Sequence, residues 1–147
     1  MSLQPILEAD GYRRIPLIRN SARHFETSGT LAGHPVRVLV DTGASNTVVS
    51  LDLAQKLGLK LTTTDHTGGG AGGARLDIYQ VQENSLRLDD ATPRPEALYA
   101  MDLSHVNASL AMKGATPIDV VLGVDVFEKQ AAVIDYASRS LFLKDAA

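Results

Sequence analysis

The chain has 147 residues, of which 44% are hydrophobic and 21% charged, and these values predict one soluble globular domain over 1–147 with a flexible start at 1–11. The formal net charge of -3 argues against nucleic acid as a partner, because nucleic-acid binders usually carry a basic surface. The absence of cysteine excludes disulfide bonds and a thiolate nucleophile. No apolar run approaches the roughly 20 residues of a membrane-spanning helix, so no membrane partner is expected.

We expect no targeting signal at the N-terminal end. The first ten residues lack the charged start and apolar core of a signal peptide, which predicts a cytoplasmic protein, or a periplasmic one if a leader has been removed.

Arginine is enriched just after this region. Four arginines fall within eleven residues, a density more typical of a solvated strand face than of a phosphate-binding surface: Arg13, Arg14, Arg19 and Arg23.

Glycine and proline divide the sequence into short segments, which predicts a mainly β domain with two or three short helices. In chain order, strands are predicted over 12–18, 24–31, 36–40, 76–81, 85–88, 97–101 and 120–122, followed by a hairpin that pairs 132–135 with 140–143. Helices are predicted over 51–57, 104–113 and 125–129. The first helix has Ser50 as its N-cap and Gly58 as its terminator.

The strongest functional signal is a carboxylate at the end of an apolar strand. Val36, Val38 and Val40 form one β-branched face, and the strand runs directly into Asp41. A carboxylate in apolar surroundings needs hydrogen bonds or a partner charge. Gly43 permits close approach of the backbone, so we expect its amide to point at the Asp41 oxygens.

The segment Val38-Leu39-Val40-Asp41-Thr42-Gly43-Ala44-Ser45 resembles the active-site loop of the retropepsin-like aspartic proteases. Downstream, Val121-Leu122-Gly123 resembles the strand that this family threads beside that loop. The glycine-rich region 67–79 stands where the family has its flap, and 132–136 with 141–143 resembles the closing hairpin of bacterial members. The likeness extends over nearly the whole chain.

The resemblance implies a mainly β, closed β-barrel-like half-domain that works as a homodimer on an extended peptide or protein substrate. It implies Asp41 as the catalytic residue, with no cofactor and no metal. The other implied site residues form three groups: the active-site loop with Thr42, Gly43, Ala44 and Ser45; the substrate-binding flap with Gly68, Gly69, Gly70, Ala71, Gly72 and Gly73; and the supporting second motif with Val121, Leu122 and Gly123.

A single Asp-Thr-Gly occurs in the 147 residues, at Asp41. Hydrolysis of a peptide by this chemistry needs two carboxylates that share a proton. The sequence therefore predicts that the second carboxylate is Asp41 of another copy, placed across a two-fold axis. In the family that the chain resembles, the counterpart of Thr42 interlocks the two loops across that axis.

The sequence differs from pepsin-like proteases at Ala44 and from retroviral proteases after Gly123. Pepsin-like proteases usually have a serine where this chain has Ala44, and that hydroxyl favours the ionised carboxylate. By analogy with the retroviral relatives, Ala44 therefore implies activity that extends to mildly acidic pH. Retroviral members continue the second motif as Gly-Arg-Asn, whereas Gly123 is followed by Val124 and Asp125. The retroviral dimer interface therefore cannot be transferred to this chain.

Other interpretations stay open. The same fold could serve as a non-catalytic dimerisation or peptide-binding module, or as a monomeric small-molecule binder, and Asp41 could be a buried aspartate that only caps a turn. Gly68, Gly70 and Gly73 formally match the dinucleotide-binding G-x-G-x-x-G, but that fingerprint needs a helix where 76–81 predicts a strand. The four histidines lack the spacing of metal ligands.

Overall fold

The computed structural model describes residues 2–69 and 75–145, which form twelve strands and four short helices. The strands are β1 (Tyr12–Pro16), β2 (Ile18–Arg19), β3 (Phe25–Leu31), β4 (His34–Val40), β5 (Val48–Ser50), β6 (Leu61–Gly69), β7 (Arg75–Val81), β8 (Leu86–Arg87), β9 (Leu98–Met101), β10 (Val120–Leu122), β11 (Val133–Asp135) and β12 (Ser140–Lys144). The helices are α1 (Gln4–Ala9), α2 (Leu51–Lys56), α3 (Ser104–Ala111) and α4 (Val124–Lys129).

The strands form two sheets. In the smaller sheet, β12 lies between β1 and β11 and is antiparallel to both. In the larger sheet the order is β2-β3-β4-β10-β5-β9-β7-β6, and β8 pairs with the end of β3 that β2 leaves uncovered. The pairs β4–β10 and β5–β9 are parallel, and the other named pairs are antiparallel.

The expected closed barrel is not formed by the described residues. The larger sheet is an open path from β2 to β6, and the closing hairpin β11–β12 pairs with β1 in a separate sheet. Closure would require the two end strands to pair, but β2 has only two residues and both pair with β3. The mainly β expectation is confirmed, with four short helices in the described ranges rather than two or three.

The C-terminal end of strand β4 is buried on both faces, from Val38 to Val40. Val36, Val38 and Val40 pack into the main hydrophobic core on one face. Leu39 packs on the opposite face into a second cluster with Leu103, Leu110, Ala115, Ile118, Val121 and Ala22. Burial on both faces is typical of strands in parallel pairing, as β4 is with β10.

Helix α1 lies within the N-terminal segment 1–11, for which the sequence predicted flexibility but no helix. Helix α1 has Pro5 in its first turn, where the missing amide donor costs no hydrogen bond. The helix packs against β1 and ends before Gly11, whose φ of 84° is in the left-handed region. The four helices have six or eight residues, and none in the described part of the chain could cross a membrane.

Strands β5 and β6 have no counterpart in the prediction from sequence. The three residues of β5 are stabilised by pairing with β9 on one side and β10 on the other, which is a tertiary effect. Strand β6 begins with Leu61 and continues with three threonines, Thr62 to Thr64, which lack the alternation of a half-buried strand. Its pairing with β7 forms the hairpin, with a register shift between Thr63 and Thr67.

Candidate active site

Asp41 stands at the point where β4 leaves the core. Val40 pairs with Leu122 of β10, and the Asp41 amide donates to the Leu122 carbonyl at 3.0 Å. The Gly43 amide donates to Asp41 Oδ1 at 2.9 Å, as the sequence predicted. The Ala44 amide donates to the Asp41 carbonyl at 3.2 Å and closes the turn. The carboxylate is therefore oriented by the backbone of its own loop.

The remaining loop residues differ in exposure. Asp41 and Ala44 are half-buried, whereas Thr42, Gly43 and Ser45 are exposed. Buried strands thus present a carboxylate and a hydroxyl at the surface of the protein. Such an arrangement suits contact with a second molecule or with a substrate.

Gly123 brings the second motif against the active-site loop. A Cβ atom at this position would lie 2.8 Å from the carbonyl oxygens of both Ala44 and Asn46. The next amide, of Val124, donates to the Ala44 carbonyl at 2.8 Å. Glycine is required here for close backbone approach, since its φ of -112° is accessible to any residue. The structure thus brings the two predicted motifs together.

The other two residues of the second motif lie on opposite faces of the sheet. Leu122 is fully buried in the main core, and Val121 is 5% exposed in the second cluster. Ala44 and Val48 also pack against that second cluster. The loop is therefore supported by apolar packing from below as well as by hydrogen bonds.

Helix α3 lies under the active-site loop in the same cluster. Leu103 and Leu110 contribute buried side chains to it. The Asn107 amide group donates to the Ile118 carbonyl at 3.1 Å and accepts from the Ile118 amide at 2.8 Å. This pair of hydrogen bonds fixes the segment that leads into β10. Helix α3 is therefore a support of the loop.

The sequence analysis missed two residues that bond the loop to the second motif. Thr47 is fully buried, and its amide and hydroxyl donate to the two carboxylate oxygens of Asp125 at 3.0 and 2.8 Å. The Thr47 hydroxyl in turn accepts from the Gly123 amide at 3.1 Å. The only sequence signal was an aspartate in the first turn of α4, which favours a helix start whatever its contacts.

The predicted flap falls on the β6–β7 hairpin. Gly68 and Gly69 belong to β6 and pair with Leu76 and Arg75. The predicted tip residues Gly70, Ala71, Gly72 and Gly73 lie outside the described residues. Nearer the base, the Thr64 hydroxyl donates to the Ile78 carbonyl at 2.6 Å across the register shift.

The ionisable groups give little further definition to the site. Hydrogen bonds from the Ser104 hydroxyl and then its amide hold the pKa of Asp102, just before α3, below its usual range. Across the described ranges, no cluster of three or more histidine, aspartate or glutamate side chains has a geometry that could hold a metal.

A family model described as aspartyl protease matches residues 27–126, which include the Asp41 loop, Thr47, Gly123 and Asp125. The chain therefore belongs to the aspartyl protease family.

Curated proteins similar to the chain are longer than the chain itself. An uncharacterized protein in the cobV 5′ region of a Sinorhizobium species is 39% identical over 54 residues, which are 37% of this chain and 23% of that protein. DNA damage-inducible protein 1 of Kluyveromyces lactis is 26% identical over 116 residues, which are 77% of this chain and 24% of that protein. The chain thus spans about a quarter of the length of the curated relatives it matches.

Solved structures share the fold over most of the chain. A retropepsin-like aspartic protease from Rickettsia conorii matches with a TM-score of 0.52 at 22% identity, covering 90% of this chain and 88% of that one. The retroviral protease-like domain of Ddi1 from Leishmania major matches with a TM-score of 0.52 at 18% identity, covering 82% and 88%. At this level of identity the likeness establishes the fold alone.

Proposed function

We propose that the protein is an aspartic endopeptidase whose catalytic pair forms from Asp41 of two copies. The observation that carries this proposal is the geometry of Asp41, a half-buried carboxylate at the end of a core strand with one oxygen bonded to the Gly43 amide. The single Asp-Thr-Gly of the sequence supports pairing of identical copies around a two-fold axis. The exposure of Thr42 and Gly43 supports contact between the two loops at that axis.

In the proposed mechanism the two Asp41 side chains share one proton. The ionised carboxylate accepts a proton from a water molecule, which attacks the carbonyl carbon of the scissile peptide. The protonated carboxyl first polarises the carbonyl oxygen. Breakdown of the tetrahedral intermediate then passes a proton to the leaving amine, and the two acids exchange roles for the next turnover.

The proposed substrate is an extended peptide that lies between the Asp41 pair and the β6–β7 hairpin. An extended backbone can bond to a hairpin by strand addition. Gly68 and Gly69 of β6 have no side chain that would block such a backbone. We propose apolar side chains on either side of the cut, because binding clefts are lined mostly by apolar groups.

The test is hydrolysis of a mixed peptide library between about pH 3 and pH 7, the range in which paired carboxyls titrate, by the native protein and by Asp41→Asn. The exposed Asp90→Asn variant is the matched control, since it makes the same substitution away from the loop. We expect cleavage by the native protein and the control but not by Asp41→Asn. Equal products from all three would indicate a contaminating protease, and no products from any would favour a non-catalytic module.

A further inference from the structure

The carboxylate of Asp125 is bonded to the end of the active-site loop and has no part in the proposed mechanism. Asp125 is the second residue of α4, where an aspartate commonly bonds to the amides of its own helix. Instead, both of its oxygens accept from Thr47, one from the amide at 3.0 Å and one from the hydroxyl at 2.8 Å. These contacts leave the helix and reach the end of the active-site loop.

The Thr47 hydroxyl connects Asp125 to the second motif, because it is bonded to both. The hydroxyl donates to Asp125 and accepts from the Gly123 amide at 3.1 Å, in a position that is fully buried. Hydrogen bonds to a carboxylate are about twice as strong as those between neutral groups. In a buried site they also restrict the positions that the bonded atoms can adopt.

The loop is therefore bonded to the β10–α4 junction at three points. The Asp41 amide bonds to the Leu122 carbonyl, the Ala44 carbonyl to the Val124 amide, and Thr47 to Asp125. The first two bonds use backbone atoms and survive any substitution that keeps the backbone in place. The third depends on the Asp125 side chain, whose removal abolishes both of its bonds to Thr47. Thr47→Val removes the two hydroxyl bonds, to Asp125 and to the Gly123 amide, and leaves the Thr47 amide bonded to Asp125.

We infer that Asp125 is a positioning residue, which acts through Thr47 to fix the active-site loop and so the orientation of the Asp41 carboxylate. The inference rests on the proposed function for its catalytic consequence, and on the loop geometry alone for its structural consequence. Misplacement of a reacting group by about 1 Å can lower a rate by about 100-fold. A change that loosens the loop should therefore lower kcat more than it alters KM.

The test uses four variants that change the network in steps. Asp125→Ala removes both acceptors, and Thr47→Val removes the hydroxyl at nearly constant volume, whereas Thr47→Ser keeps it. Glu128→Ala is the matched control, because Glu128 is an exposed carboxylate one turn along the same helix. Each variant is examined by peptide hydrolysis and by hydrogen exchange of segment 41–47, with segment 140–144 of the smaller sheet as an internal reference.

We expect Asp125→Ala and Thr47→Val each to lower kcat by about 10-fold or more with KM changed less than about twofold. Amide exchange over 41–47 should accelerate by a similar factor, whereas exchange over 140–144 should stay unchanged. Thr47→Ser and Glu128→Ala should match the native protein. In the double variant Asp125→Ala with Thr47→Val, the loss of kcat should not exceed that of Asp125→Ala, because one network is removed once.

The inference is overturned if Asp125→Ala and Glu128→Ala have the same kcat and the same exchange over 41–47. If Asp125→Ala does not fold, the contrast between Thr47→Val and Thr47→Ser decides the question. An equal kcat and equal exchange in those two variants would also overturn it. Failure of the proposed function is distinguishable, since the native protein would then show no cleavage that depends on Asp41 while the exchange difference remained.

Discussion

At Gly123 the backbone of the second motif lies against the backbone of the active-site loop. The neighbours of Gly123 are backbone carbonyls of Ala44 and Asn46, which cannot rotate away as a flexible side chain would. The backbone at Gly123 has φ -112° and ψ -177°, so strain in its own conformation is not the reason for glycine. Glycine is needed because the carbonyl groups of the active-site loop occupy the space where a Cβ atom would lie.

Gly123→Ala should therefore displace the active-site loop. We expect the free energy of unfolding to fall by about 1–3 kcal/mol, the usual cost of overpacking, and peptide hydrolysis to be lost. Gly33→Ala is the control, since a Cβ at Gly33 meets nothing within 4 Å but its φ is +79°. That control should cost about 1 kcal/mol of backbone strain and leave hydrolysis intact. Urea denaturation and peptide assays measure both, and full activity in Gly123→Ala would contradict the account.

Ala44 sets an expectation for the pH dependence of hydrolysis. Its methyl group has no donor for the neighbouring carboxylate, so we expect hydrolysis to extend to mildly acidic pH. In Ala44→Ser, a hydroxyl that donates to the ionised carboxylate should move the acidic limb of the rate profile to lower pH. Rate profiles of the two proteins test this. A native profile that peaks below about pH 3, as expected for a strongly acidic dyad, would contradict it.

Helix α3 supports the site because the Asn107 side chain is hydrogen-bonded to the backbone of Ile118, in the segment that leads into β10. Asn107 supplies both a donor and an acceptor to Ile118, from the nitrogen and the oxygen of its amide side chain. Ile118 is 1% exposed and leads directly into β10, which pairs with β4 beside Asp41. The position of α3 is thus coupled to the site by a short path of bonded residues.

Asn107→Asp should lower the free energy of unfolding by about 1–3 kcal/mol, because the Ile118 carbonyl loses its donor and faces a carboxylate instead. Ser109→Ala is the control, since Ser109 is exposed on the same helix. It should stay within about 0.5 kcal/mol of the native protein. Urea denaturation decides between the two outcomes, and equal stability of both variants would show that the Asn107 contact contributes nothing.

The start of α3 predicts a small effect that depends on pH. Ser104 holds the pKa of Asp102 below its unfolded-state value, so the stabilisation is present above the unfolded pKa and is lost as pH falls through the folded pKa. Asp102 is exposed, and Asp102→Ala should cost at most about 1 kcal/mol at pH 7. Urea denaturation over a falling pH series should show this difference disappear. A difference that is constant with pH would show that it does not arise from ionisation of Asp102.

Local patterns in the sequence predicted most elements but not those that depend on distant partners. Helix α2 begins as expected, with the Ser50 hydroxyl accepting from the Leu53 amide at 3.3 Å. Strand β5 could not be predicted, because its three residues are ordered by β9 and β10. In the candidate site, the motifs that contain Asp41 and Gly123 were predicted to lie side by side, and the structure brings them together. The Thr47–Asp125 contact was missed because it joins residues 78 positions apart and has no motif of its own.

The two sheets contain different parts of the protein. The larger sheet carries the Asp41 loop, the second motif and the β6–β7 hairpin, whereas the smaller sheet joins the two ends of the chain through β1 and β12. Each chain provides one Asp-Thr-Gly, so the account requires that two chains meet for hydrolysis to occur. This requirement separates the proposed protease from a monomeric binder.

Mixing native protein with Asp41→Asn copies tests that requirement. After full subunit exchange at equal amounts, about a quarter of the dimers would contain two native copies, so the hydrolysis rate should fall to about half that of the native protein alone. Mixing with active Asp90→Asn copies should instead roughly double the rate. A rate that stays constant or rises on addition of Asp41→Asn copies, in a mixture shown to exchange subunits, would contradict a shared Asp41 pair.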